Sequence, residues 1–110
     1  MAFDEGLLQI WRDALSGNTS ITEKRMFGGV AVLYNGHMLC GVHKGGAMIR
    51  VGKDNDARAK KLKGISTMTF TKKAMAGWVD ISPEALEDPV RRTKLLGMAI
   101  AFVQTLPSKI

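Results

Sequence analysis

The stretch Arg25-Met26-Phe27-Gly28-Gly29 marks the point at which the sequence changes its periodicity. At 3–16, before this stretch, apolar residues recur at helical spacing and form one stripe. From Val30 onward the apolar residues follow the period of two that is typical of strands. The glycine pair permits a bulge or a close backbone approach where the chain joins the sheet. The junction therefore predicts a helix followed by a sheet.

Three short strands are predicted after the junction, at 30–34, 38–43 and 47–51. Asn35-Gly36 separates the first two strands, and both residues tolerate the positive φ of a type I′ hairpin turn. Lys44-Gly45-Gly46 provides the second turn. These strands are apolar at both parities over much of their length, so we expect one face to meet helices and the other to be partly covered or to meet a partner.

The remaining segments complete the predicted order. Residues 18–24 are polar and are predicted to be a linker. A short helix is predicted at 54–62, strands at 68–71 and 78–81, and helical segments after Ser82-Pro83 and Asp88-Pro89, the last one ending near Leu106. The order α-β-β-β-α-β-β-α predicts a two-layer α+β fold, with a mostly antiparallel sheet and helices on one side. We expect one domain over residues 1–110.

The composition narrows the class of protein. An apolar fraction of 45% in 110 residues is sufficient for a hydrophobic core. The single cysteine, Cys40, excludes an intramolecular disulfide and favours a reducing compartment. Asp4 and Glu5 occupy positions where a signal peptide carries cations, and no apolar run approaches the roughly 20 residues that span a bilayer. We therefore expect a cytoplasmic protein without a membrane partner.

The net charge of +6 is concentrated in the middle of the chain, where 44–73 holds nine cations and two acids. Such a region can contact phosphates or another anion. The candidate contacts are Arg50, Arg58, Lys60, Lys61, Lys63, Lys72 and Lys73. The nearby aromatic residues, Phe70 and Trp78, occupy positions typical of a core. A solvated helix face is the alternative interpretation of the same cations.

The search for chemistry gives no catalytic, metal-binding or cofactor-binding set. Cys40 and His43 fall on opposite faces of a straight strand, which prevents them from converging on a metal or forming a dyad. Both His37 and His43 are expected at the surface. Gly28-Gly29 precedes a strand and lacks the spacing of a phosphate-binding loop. A small-ligand site or an enzyme at Arg25–Gly29 stays open as an alternative.

Several segments together resemble the TfoX N-terminal domain family. They are Arg25–Gly29, Tyr34-Asn35-Gly36-His37-Met38, Met48-Ile49-Arg50-Val51, Met75-Ala76-Gly77-Trp78-Val79 and the proline-led C-terminal helix. The resemblance implies a secretion-chaperone-like fold and a bacterial source. The family's namesake regulates competence for DNA uptake and carries a second, C-terminal domain. Because this chain ends at Ile110, we expect a stand-alone N-terminal domain. The resemblance brings no catalytic residues.

The first functional hypothesis is a small regulatory module that binds a protein partner or a second copy of itself, forming a homodimer. Its contact surface would be an exposed sheet face or the adaptable methionines Met38, Met48, Met68 and Met75. The family motif Arg25, Met26, Phe27, Gly28 and Gly29 is a further candidate, with Phe27 and Met26 anchoring the junction and Arg25 available for function. Nucleic-acid binding through the basic 50–73 region is the alternative.

Overall fold

The computed structural model describes residues 3–26, 28–70 and 73–107. Ten elements follow one another along the chain: α1 (Glu5–Ala14), β1 (Ile21–Met26), β2 (Gly29–Tyr34), β3 (His37–His43), β4 (Gly46–Arg50), α2 (Asp56–Lys60), β5 (Ile65–Phe70), β6 (Lys73–Ile81), α3 (Pro83–Glu87) and α4 (Pro89–Val103). A 3-10 turn, Lys53–Asn55, precedes α2. In the described part of the chain no helix is long and apolar enough to cross a membrane.

The six strands form one sheet in the order β1-β2-β3-β4-β6-β5, and every neighbouring pair is antiparallel. The predicted α+β class and the antiparallel sheet are confirmed. The predicted order of helices and strands is also broadly correct, with one additional strand, β1, ahead of the predicted meander. A likeness to secretion chaperones stays a prediction.

The starts of α3 and α4 follow directly from the local sequence. The Ser82 hydroxyl accepts a hydrogen bond from the backbone N–H of Ala85 at 3.2 Å. The Asp88 carboxylate accepts one from Val90 at 3.0 Å, and a proline occupies the first turn of each helix. Proline lacks a backbone N–H, and an N–H at this position would have no partner within the helix. Both predicted helix starts are therefore confirmed.

The hydrophobic core lies between the helices and one face of the sheet. Residues paired across antiparallel strands point to the same face, so Val30, Val42 and Ala47 share this face. All three belong to the core, together with Trp11 of α1, which is fully buried. The Trp11 Nε1–H donates to the carbonyl of Gly41 at 2.9 Å. This bond satisfies the indole and fixes α1 over the middle of β3.

The other face of the sheet, here called the outer face, points away from the helices. The register assigns to it Lys24, Ala31, Leu33, Met38, Gly41, His43, Met48, Arg50, Trp78 and Asp80. Ala31 and Met48 are buried, yet neither belongs to the core beneath the helices. Leu33 and Met38 are partly exposed. The outer face thus presents apolar side chains away from the helices.

The expected linker at 18–24 is corrected by β1, which begins at Ile21. This strand lies at the edge of the sheet, and its side chains from 22 to 25 are exposed. Glu23 accepts from Arg12 of α1 at 2.7 Å, and the Arg25 guanidinium lies 6.0 Å from the centre of the Phe3 ring. Because β1 carries polar groups on both faces, the apolar alternation that indicates a strand is absent.

The glycine pair of the opening motif connects β1 to β2. Met26 pairs with Gly29 in the ladder, and Gly28 has a φ of 75° in the intervening turn. A Cβ atom on Gly29 would lie 2.1 Å from the carbonyl oxygen of Val42, which forbids any side chain there. The glycines therefore serve backbone geometry, as predicted. Phe27 lies outside the described residues, as does the side chain of Met26, so their anchoring role stays a prediction.

Three alanine substitutions separate these backbone effects. We expect Gly29→Ala to lower the free energy of unfolding by about 3 kcal/mol, because the new methyl group meets backbone atoms. Gly28→Ala should cost about 1–2 kcal/mol, the penalty of a positive φ. Urea denaturation of the purified variants measures both changes.

Gly97→Ala is the control for this series. Gly97 lies inside α4 with open space around it, so alanine should raise the free energy of unfolding by about 0.5–1 kcal/mol. A Gly29→Ala protein as stable as the wild type would contradict the close approach of β2 and β3.

Candidate functional site

A pocket of about 240 Å³ lies where the end of β4 meets β6 and α4. Its walls include Arg50, Gly52, Lys53, Asn55, Trp78 and Phe102. Arg50 and Trp78 are directly paired in the β4–β6 ladder, whereas Phe102 comes from the last turn of α4. The pocket therefore combines two cations with two aromatic rings, drawn from three separate parts of the sequence.

The Arg50 guanidinium is held against both rings. Its central carbon lies 5.9 Å from the centre of the Trp78 ring and 5.3 Å from that of Phe102, distances at which cations and aromatic faces attract. No hydrogen bond or carboxylate contact to Arg50 occurs among the described residues, although the side chain is partly buried. Within that part of the chain, its N–H groups therefore have no acceptor.

Two glycines determine the shape of the pocket. Gly52 and Gly77 have φ values of 89° and 86°, in the region that favours glycine. A Cβ atom on Gly52 would lie 2.6 Å from the Phe102 ring. The Gly77 carbonyl accepts from the N–H groups of both Val51 and Gly52, at 2.8 and 3.1 Å. These bonds join the end of β4 to β6.

Asp56 supports the same wall from α2. One carboxylate oxygen accepts from the Gly77 N–H at 2.9 Å, and the other lies 2.6 Å from the Lys60 ammonium. The hydrogen bond from Lys60, followed by that from Gly77, lowers the pKa of Asp56. Asp56 therefore stays ionised and fixes α2 to the part of β6 that lines the pocket.

The predicted basic contacts separate into distinct groups in the structure. Arg50 lies in the pocket, and Lys60 is paired with Asp56. Arg58, Lys61 and Lys63 are exposed on α2 and the turn that follows it. The Arg58 guanidinium donates to the side chain of Asn55 at 2.8 Å. Lys72 lies outside the described residues, as does the side chain of Lys73.

The opening motif does not line the pocket. Arg25 is exposed on the edge strand, and Gly28 and Gly29 belong to the β1–β2 connection. Sequence reasoning had singled out these residues for a ligand site, whereas Gly52, Lys53 and Phe102 were not selected for one. The sequence does contain one local signal for this site, namely Gly52-Lys53 directly after the strand predicted at 47–51. Nothing local in the sequence connected Phe102 to it.

The cysteine and histidine residues occupy different environments. Cys40 is fully buried in the core, and burial raises the pKa of its thiol well above the usual value. His43 lies on the outer face, so the predicted separation of these two side chains is confirmed. Among the residues that the structure describes, no cluster of three or more histidine, cysteine or acidic side chains can hold a metal ion.

The expectation that His37 is a surface residue is wrong. Its side chain is 8% exposed, and its Nε2 contacts the backbone carbonyl of Pro107. The expectation that Trp78 belongs to the core also needs correction, because its ring is partly exposed beside Arg50. The burial of His37 arises from the end of the chain, where α4 and the residues after it pass β3.

The fold and these sites define an α+β domain with an arginine-lined pocket and a second, partly apolar sheet face. The family model for the TfoX N-terminal domain matches residues 13–103, and the chain belongs to this family, which is regulatory. The resemblance noted in the sequence is thereby confirmed. Neither the curated proteins nor the solved structures include a match to this chain.

The His43–Asp80 pair predicts a pH-dependent contribution to stability. The His43 Nε2 lies 2.9 Å from the Asp80 carboxylate, and this hydrogen bond raises the pKa of His43. The folded state therefore favours protonated histidine. This stabilisation is fully present below the unfolded pKa of about 6.5 and is lost as the pH rises through the folded value. Because both side chains are partly exposed, we expect less than about 1 kcal/mol.

Chemical denaturation from about pH 5 to about pH 9 measures this effect. We expect the difference in unfolding free energy between wild type and Asp80→Asn to shrink as the pH rises. His43→Gln is the matched control, since Asp80→Asn in that background should produce no pH-dependent change. An unchanged difference across the range would show that the ion pair does not contribute.

Proposed function

We propose that this domain is a non-catalytic regulatory module of the bacterial cytoplasm that forms a homodimer through its outer face. The observation that carries the proposal is an apolar strip outside the core, in which Leu33 and Met38 are partly exposed and Met48 is buried beside them. Helices cover the opposite face, and the exposed parts of Leu33 and Met38 are surface that a second chain can bury.

The side chains in the strip suit a contact between proteins. Met38 pairs with Leu33 across β2 and β3, and both are partly exposed. Methionine is flexible and polarisable, which allows it to fit an irregular apolar surface. Met48 is buried over Gly41, where its terminal methyl group would lie 2.9 Å from a Cβ atom at that position. Because Gly41 has no side chain, Met48 can pack close to the backbone of the sheet.

Charge favours a second copy of the chain as the partner. The protein as a whole carries +6, and all of this excess lies between Lys44 and Lys73. Two such basic regions repel each other. The outer face includes His43 beside Asp80, together with Lys24, Arg50 and the apolar strip. A face with both signs of charge and apolar side chains can pair with itself across a two-fold axis.

Membership in the TfoX N-terminal domain family supports a regulatory role, with transcription or competence for DNA uptake as the regulated process. The inert thiol of Cys40 supports the absence of thiol catalysis. A module of this kind acts by presenting a defined surface to another chain. Its regulatory output then depends on association rather than on a chemical reaction.

Sedimentation velocity over a range of protein concentrations tests the homodimer. We expect the wild type to sediment as a dimer at about 100 µM and Met38→Asp to weaken association at least about tenfold, because a charge becomes buried in the contact. Val90→Asp is the matched control. Val90 is 60% exposed on α4 and lies away from the sheet, so this variant should associate like the wild type.

A wild-type protein that stays monomeric at every concentration would refute the homodimer. Equal weakening by Met38→Asp and Val90→Asp would show that association does not use the outer face. Circular dichroism of both variants establishes that they are folded.

Nucleic-acid binding is the second candidate function, and it is favoured by the exposed cations Arg58, Lys61 and Lys63. All three lie on α2 or the turn after it, within six positions of the chain. Lys60 is less available, because it contacts both Asp56 and Thr67. A surface of this kind binds phosphates without reading sequence.

Fluorescence anisotropy with labelled duplex and single-stranded DNA at two salt concentrations tests this candidate. If it is correct, affinity falls steeply with salt, and Lys61→Gln reduces the slope of log K against log salt by about one. Lys94→Gln, which removes an exposed cation from α4, is the control. The absence of a salt-dependent signal at low ionic strength would eliminate this candidate.

A further inference from the structure

We propose that the pocket at the end of β4 binds a small planar organic monoanion, an aromatic carboxylate in chemical class, with Arg50 as the anion-binding residue. This inference goes beyond the proposed homodimer and does not depend on it. The site was not indicated by the family motif, and it lies apart from the exposed cations of α2.

The first argument is that the partly buried Arg50 side chain lacks a hydrogen-bond acceptor among the described residues. A partly buried guanidinium normally finds a carboxylate or carbonyl partner, since burying its donors without acceptors is costly. Among the described residues, the Arg50 guanidinium has no hydrogen bond or ion pair and lies beside the aromatic rings of Trp78 and Phe102. Neither ring supplies a carboxylate or carbonyl acceptor to the planar fork of N–H groups. A carboxylate can therefore accept two parallel hydrogen bonds from it.

The second argument is that the site is already ordered. The rings restrict the Arg50 side chain, and Gly52 packs so closely on Phe102 that no Cβ atom fits between them. Asp56 holds the facing wall through its hydrogen bond with Gly77 of β6. A binding site that is arranged in advance loses less conformational entropy when its ligand arrives.

The charged side chains around the pocket determine which ligand charge is favoured. Arg50 and Lys53 supply two cations, and Asp54 supplies one carboxylate at the rim. The net positive charge attracts an anion, while the carboxylate opposes a second negative charge on the ligand. A monoanion is thus favoured over a phosphate dianion. The partly exposed Trp78 and Phe102 rings then provide apolar contact for a flat ligand.

The volume of the pocket limits the size of the ligand. The pocket of about 240 Å³ corresponds to about eight water molecules at 30 Å³ each. It is smaller than the roughly 300–1,000 Å³ of sites that hold drug-sized ligands. One ring bearing a carboxylate is suited to this space, whereas a nucleotide is too large. The chemistry and the volume therefore agree on a ligand of the size of benzoate.

Nuclear magnetic resonance titration of the full chain with benzoate tests the proposal. We expect saturable shifts of the backbone amide signals of Gly52 and Gly77, which line the pocket. Benzamide, which keeps the ring and removes the charge, and inorganic phosphate, which keeps the charge and removes the ring, should each bind at least about tenfold more weakly. Equal responses to benzoate and benzamide, or no saturation with benzoate, would overturn the proposal.

Two variants assign the effect to Arg50. Arg50→Gln should weaken benzoate binding at least about tenfold, because it removes a charged donor pair. Arg50→Lys keeps the charge without the planar fork and should fall between Arg50→Gln and the wild type. Lys61→Gln is the matched control, since it removes a nearby exposed cation that does not line the pocket and should leave benzoate binding unchanged. Wild-type affinity in both Arg50 variants, or equal losses in Arg50→Gln and Lys61→Gln, would overturn the assignment.

Discussion

The close approach of β2 and β3 is the constraint on which the rest of the structure depends. A Cβ atom on Gly41 would lie 2.5 Å from the carbonyl oxygen of Val30, and one on Gly29 would meet Val42 in the same way. At this place the Trp11 indole bonds to the Gly41 carbonyl and brings α1 onto the sheet. The approach of the central strands and the low position of the outer-face methionine therefore both require bare backbone at two glycines.

Much of the fold was readable because its signals are local. The Asn35-Gly36 turn and the Ser82-Pro83 and Asp88-Pro89 helix starts depend on residues within a few positions of one another. The edge strand β1 could not be predicted from the sequence. A strand is recognised there by apolar residues at alternate positions, which become buried, and this strand buries few residues. Its polar side chains find their partners in α1, and that pairing exists only after the chain has folded.

The pocket was predictable only in part, for a related reason. Arg50 was identified as a cation, and the charge of the region could be counted. Its aromatic neighbours lie 28 and 52 positions further along the chain, and no periodicity links them to it. The positive φ angles of Gly52 and Gly77 are set by the tertiary structure. A glycine in the sequence permits such an angle without indicating where it is used.

The charged edge strand has a consequence for how this protein can assemble. Strand-to-strand pairing at an open sheet edge can be repeated without limit and leads to fibres. Glu23, Lys24 and Arg25 place charges along β1, so a second chain that added itself there would have to desolvate them. Contact through a sheet face ends after two copies, because each face is then used. The polarity that concealed β1 in the sequence thus opposes polymerisation through this edge of the sheet.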